Sequence, residues 1–221
     1  MRKKLHGSRG IARAVVILLV LVAVMLVLVS IPTYRYYREQ AGLIGCVQAL
    51  DSASRQLATD YLVNNTRKAE DAKDAVARAM LGWDDLCPGG GNVYVAENRG
   101  GEVPFKLVCG LHGSDEKEVT RLNASYAFEQ LESARLDAAR RGQKLSGPVT
   151  VTLNGKKLDV VMTEEPNDLR RGTDSSMDYK GDILSFYSLA EDGSLYWFVY
   201  ADREHAAVWR ADDGWTGDSY A

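Results

Sequence analysis

Eighteen consecutive residues, from Ala14 to Ile31, carry no charge, and Ser30 has the only polar side chain among them. At about 1.5 Å per residue, a helix of that length spans roughly 27 Å, close to the hydrocarbon thickness of a bilayer. A secretory signal is the competing reading. Its apolar region runs about 7–15 residues and gives way to small residues at a cleavage site. Here the run is longer and passes into Ser30-Ile31-Pro32-Thr33-Tyr34, with bulky side chains where such a site would stand. The segment reads as a membrane anchor.

Charge supplies an orientation. The net charge of −3 over 221 residues is unevenly spread. Residues 1–13 hold Arg2, Lys3, Lys4, Arg9 and Arg13 with no acid, a charge of +5, which leaves −8 for the remainder. A basic head before an apolar span and an acidic body after it predict a cytoplasmic N-terminus and an extracytoplasmic C-terminal part. An acidic body also lacks the basic stripe that neutralises phosphates, so nucleic-acid binding is not expected. With 46% hydrophobic and 26% charged residues, the rest of the chain has ordinary globular usage and should fold.

Helical periodicity continues past the span. Leu43, Val47, Leu50, Ser54, Leu57 and Tyr61 recur at spacings of three and four, which predicts one spine helix of about fifty residues with Pro32 inside it. Thr66 is the expected N-cap of a shorter helix to about Met80. A Gly-rich turn at Cys87-Pro88-Gly89-Gly90-Gly91 precedes two strands, Asn92 to Ala96 and Pro104 to Cys109. A second amphipathic helix is expected from Asp115 to Arg141, stopped by Gly142. Pro148 to Leu153 and Leu158 to Thr163 flank Asn154-Gly155, a strong hairpin signal. Residues 164–182 are polar and read as loop. Three more strands are expected at Ile183 to Leu189, Leu195 to Ala201 and Ala206 to Ala211. The fold class is α+β: a long transmembrane and spine helix, an α+β head, and a second α+β unit of antiparallel strands.

The N-terminus resembles the prepilin signal of type IV pilins and pseudopilins. In that family a short basic leader ends in Gly, an apolar helix follows, and a Pro and tyrosines stand at fixed distances. Here the leader is Met1 to Gly10, with cleavage between Gly10 and Ile11, and Pro32, Tyr34 and Tyr37 lie in the family's register. A second resemblance is carried by Cys87-Pro88 with Gly90-Gly91 and Tyr94, then Cys109-x-x-His112-Gly113. These look like the CP-x-GG-x-Y … C-x-x-HG segment of pilin-like proteins from Gram-positive bacteria. The resemblance implies a leader at 1–10, a transmembrane and spine helix at 11–65, a pilin-like globular segment at 66–114 and an added α+β domain at 115–221. It implies a structural subunit, methylated after cleavage, whose partners are a prepilin peptidase, other pilin or pseudopilin subunits, an assembly platform with its ATPase, and the membrane. Filaments of this kind serve adhesion, motility, DNA uptake or secretion. One departure is that Val15 stands where most pilins carry Glu, the residue thought to meet the N-terminal amine of a neighbouring subunit. Pseudopilins at a filament tip lack it too, which points to a minor component. The alternative is an uncleaved single-pass protein that presents an extracellular binding or sensor domain.

No catalytic motif is present: there is no G-x-S-x-G elbow, no H-E-x-x-H helix and no phosphate-cradling loop, so neither an enzyme nor a cofactor is expected. Beyond His6 in the leader, only His112 and His205 remain for a membrane-tethered hydrolase, the third rival. Cys87, Cys109 and His112 admit three uses: a Cys87–Cys109 disulfide, which the resemblance and an exported location favour, free thiols, or three ligands of a metal ion. Cys46 reads as a small core residue of the spine. Tyr196-Trp197-Phe198, Trp209 and Trp215 form an aromatic group. Strand alternation places Tyr196 and Phe198 on one face and Trp197 on the other, so one face and the tail from Trp215 to Tyr220 are candidates for partner contact.

Overall fold

A computed structural model of the chain describes residues 8–65, 68–79, 82, 83, 86–99, 101–163, 183–202 and 205–216, with side chains from Val15 onward. Helix α1 runs from Ser8 to Asn64 with Pro32 inside it. It is long and apolar enough to cross a membrane, and none of its most apolar window is buried by the rest of the chain. Pro32 has no N–H to donate, so the carbonyl of Leu28 loses its usual partner. The neighbouring hydroxyls stay inside the helix. Ser30 Oγ donates to the Leu26 carbonyl at 2.6 Å and Thr33 Oγ1 to the Val29 carbonyl at 2.8 Å, so neither polar group needs water.

Contacts divide the chain into two units, Met1–Ile44 and Gly45–Ala221. In the second, the last part of α1 packs with helix α2 (Ala69–Ala79) and the antiparallel hairpin of β1 (Val93–Glu97) and β2 (Phe105–Cys109). Their shared core includes Cys46, Ala53, Leu57, Ala72, Val76 and Val93. Thr66, the expected cap of α2, lies outside the described residues. The buried stripe of α1 is rotated from the one its larger apolar residues suggest. Cys46, Leu50, Ala53 and Leu57 face the core, while Val47 is 57% exposed and Ser54 is exposed. Cys46 and Ala53 are fully buried on this face beside Leu50 and Leu57.

Helix α3 (Glu116–Arg140) starts at Asp115, whose side chain accepts the Glu118 N–H at 3.1 Å. It ends at Arg141, followed by Gly142 at φ 71°, a left-handed stop that suits glycine. Six strands follow: β3 (Val149–Leu153), β4 (Lys156–Met162), β5 (Leu184–Leu189), β6 (Leu195–Asp202), β7 (His205–Arg210) and β8 (Gly214–Thr216). They form one sheet in chain order. Asn154 and Gly155, both at positive φ, make the two-residue turn between β3 and β4. The expected all-antiparallel sheet is corrected at one seam, because β4 and β5 pair in parallel, with Val161 opposite Phe186. Parallel neighbours need a connection of about a dozen residues or more. The sequence supplies one between Met162 and Leu184, and residues 164–182, read as loop, lie outside the described residues.

Helix α3 packs on β3, β6 and β7. Its Ala124, Ala127 and Leu131 close over Val151, Val160, Tyr187, Phe198 and Tyr200. The small alanines bring the helix near the sheet, and the large tyrosines fill what remains.

Candidate functional site

Two features stand out from the fold. The first is the outer surface of α1. Every large apolar side chain from Val15 to Val29 is between 48% and 64% exposed, and Tyr34 and Tyr37 are 69% and 66% exposed. A helix that is apolar all round is stable only in a non-aqueous surround. Gly10 and Ile11, the expected processing pair, fall within the helical backbone of α1, while residues 1–7 lie outside the described residues.

The second feature gathers all three cysteines of the chain with one histidine. The Sγ atoms of Cys46, Cys87 and Cys109 and a ring nitrogen of His112 lie within 4.8 Å of one another. Three separate segments deliver them. Cys46 comes from the buried face of α1. Cys87 opens a turn in which Pro88 takes the second position and the Gly90 N–H closes on the Cys87 carbonyl at 2.9 Å. That turn leads into β1, where Val93 pairs with Cys109 at the end of β2. The chain then folds back, with the Gly113 N–H on the Cys109 carbonyl at 2.8 Å, and carries the His112 ring over the sulfurs. His112 Nδ1 lies 3.3 Å from Cys87 Sγ and 3.7 Å from Cys109 Sγ.

The glycines of the turn leave room for this convergence. A Cβ on Gly91 would stand 2.6 Å from Cys109 Sγ, and one on Gly89 would stand 2.8 Å from His112 Cε1. Burial raises the pKa of Cys46 and of Cys109, and it lowers that of His112. At Cys109 this is opposed by backbone N–H groups of Leu111 and His112, the former at 3.4 Å from Sγ. Such donors favour the thiolate.

The three cysteines are unbonded. Sequence reasoning brought Cys87, Cys109 and His112 together as candidates, and the fold does the same. It missed Cys46, whose small size in an apolar stripe reads as core. The available signal was that no other cysteine exists in the chain. Counted strictly, the aromatic position of the CP-x-GG-x-Y pattern falls on Val93, and Tyr94 stands one residue further on. The Tyr94 hydroxyl donates to Asn123 Oδ1 at 2.9 Å instead of lining the sulfur cluster.

The Cys87–His112 separation also suits a thiol–imidazole pair for nucleophilic chemistry. Access argues otherwise, since Cys87 is 3% exposed and Cys109 and Cys46 are fully buried. Two surface clefts, of about 390 and 500 Å³, lie along Trp83, Tyr94 and Tyr126 and along Arg99, Lys106 and Arg121, and neither is lined by the cluster. His205 Nε2 lies 3.9 Å from Glu116 Oε2.

The aromatic group is mostly core. Trp197 is 3% exposed and packs with Val199 and Val208, and Phe198 on the opposite face is fully buried, so the expectation that one of the two faces is open is corrected at both residues. Central strand β6 is covered on both sides, and only Tyr196 at its start is open, at 47%. Trp215 belongs to β8, where it pairs with Trp209 and meets Phe128 and Phe198 edge-on. No family model, curated protein or solved structure matches the chain.

Proposed function

We propose that this chain is a type IV pilin-like structural subunit, a minor pilin or pseudopilin, assembled through α1 into a surface filament or a secretion or competence pseudopilus. The observation that carries the reading is a 57-residue helix whose first half exposes apolar side chains all round and whose last turns enter a folded core. Each CH₂ kept from water is worth about 0.8 kcal/mol, so this surface needs lipid first and neighbouring helices afterwards. Pro32, Tyr34 and Tyr37, in register with Gly10, support the pilin assignment over a plain anchor.

In this reading the basic N-terminus stays in the cytoplasm, and the body from Gly45 onward lies outside it. A prepilin peptidase cuts between Gly10 and Ile11, Ile11 is methylated, and an assembly platform with its ATPase moves the subunit out of the membrane. Val15 in place of the usual Glu removes the contact to a neighbour's amine and suits a minor or tip position. Mass spectrometry of the mature N-terminus in native cells tests the proposal. N-methylated Ile11 is the expected species. A protein that retains residues 1–10 would overturn it in favour of an uncleaved single-pass anchor bearing an extracellular binding or sensor domain.

A further inference from the structure

We infer that Cys46, Cys87, Cys109 and His112 form a closed tetrahedral zinc centre that clamps the spine helix to the hairpin behind it. The ligand set is sulfur-rich with one imidazole, the composition of structural zinc sites. With Zn–S near 2.3 Å and Zn–N near 2.0 Å, a tetrahedron sets neighbouring ligand atoms about 3.5–3.8 Å apart. The two sulfur–nitrogen distances, 3.3 and 3.7 Å, lie on either side of the sulfur–nitrogen spacing of about 3.5 Å, and all four ligand atoms fall within 4.8 Å.

Three further features fit a metal better than a pair of bonded sulfurs. First, a Cys87–Cys109 disulfide uses two of four converging groups and leaves the Cys46 thiol and the His112 imidazole without a task. A metal uses all four, each from its present position. Second, the Leu111 N–H on Cys109 Sγ neutralises part of a thiolate's charge, as outer donors commonly do around bound metals. Third, Gly89 and Gly91 stand where any side chain would push His112 and Cys109 away from the centre. On binding, the three thiols release their protons to solvent and the imidazole binds neutral through Nδ1, so a dication with three thiolates leaves a net charge of −1. Four protein ligands leave no open position, which makes the site structural and not catalytic.

Its task follows from where the ligands sit. Cys46 lies on α1, Cys87 before β1, and Cys109 and His112 at the end of β2. A single ion therefore holds one helix and both flanks of a two-stranded hairpin, a unit too small to be stable by itself. The inference is independent of how the N-terminus is processed.

The test uses the full chain, purified in detergent under reductant, with metal content read by plasma emission and cobalt(II) titrated into zinc-stripped protein. One zinc per chain is expected. The cobalt spectrum should show tetrahedral ligand-field bands and sulfur-to-metal charge transfer with the intensity of three thiolates. Cys46→Ala should weaken zinc binding by more than about tenfold, and His112→Cys should retain the metal. Zinc-free protein with a Cys87–Cys109 disulfide in the native chain would sink the inference. So would a Cys46→Ala protein that keeps its zinc and its cobalt spectrum. If the variant does not fold, the wild-type cobalt intensity decides alone, since two thiolates or none would overturn the assignment.

Discussion

Asn123 on α3 is fully buried and is the hub of a polar joint between the hairpin and the six-stranded sheet. Its Nδ2 donates to the Gly110 carbonyl at 3.0 Å, and its Oδ1 accepts from Tyr94 OH at 2.9 Å. Asn154, at the β3–β4 turn, donates to the same carbonyl at 3.2 Å and exchanges backbone and side-chain bonds with Asn92 at 2.8 and 2.6 Å. Asn123→Ala removes the acceptor of a half-buried hydroxyl and half the satisfaction of Gly110. We expect a loss of about 2–3 kcal/mol, read by denaturant unfolding of the full chain in detergent. Ser188 makes the opposite prediction. Its Oγ is buried with no hydrogen-bond partner among the described residues, so Ser188→Ala should leave stability unchanged or raise it by about 1 kcal/mol. Little of this scale is legible from sequence. Asn154 announces a turn but not the carbonyl it reaches across the chain. Cys46 and Ala53 look like filler because periodicity weighs apolar size, yet both are fully buried in the shared core.

Elements were the legible scale. Helix α1 follows from an uncharged run and a resumed stripe, α3 from its period between Asp115 and Gly142, and β3–β4 from Asn154-Gly155. Each signal is local, so the physics that makes it is contained in the segment. The β4–β5 pairing is not local: alternation marks both strands, but nothing in either states their relative direction. Strand β8 is three residues long, too short for alternation to register. For α1 the prediction concerns Val15. A carboxylate in a bilayer costs several kcal/mol unless a partner meets it. If the proposed pilin-like assembly holds, Val15→Glu should reach wild-type levels only when its partner subunits are co-expressed, and fall when the chain is made alone. Immunoblots of membrane fractions measure this, and equal loss in both settings would count against a pilin-type interface.

At the scale of the molecule, a helix suited to lipid is joined to an acidic body suited to water, and the body's stability has a pH limit set by its core tyrosines. Tyr187 and Tyr200 are fully buried between α3 and the sheet. Burial raises the pKa of both, and at Tyr200 the Asp202 carboxylate, whose Oδ2 lies 3.4 Å from the hydroxyl, raises it further. In the unfolded chain a tyrosine ionises near pH 10. Below that pH both states keep the phenol proton, and the group contributes no slope. Above it the unfolded chain loses the proton while the folded one holds it, so the folded state binds more protons and stability falls as pH rises. Each such tyrosine subtracts about 1.4 kcal/mol per pH unit above 10, until its folded pKa is reached. Tyr200→Phe isolates the effect. Its stability relative to wild type should be constant from pH 7 to about 9, begin to rise near pH 10, and improve by about 1.4 kcal/mol for each unit above 10. Parallel curves for the two proteins up to pH 11 would mean that Tyr200 ionises in the folded state as readily as in the unfolded one, and that α3 does not seal this core from water.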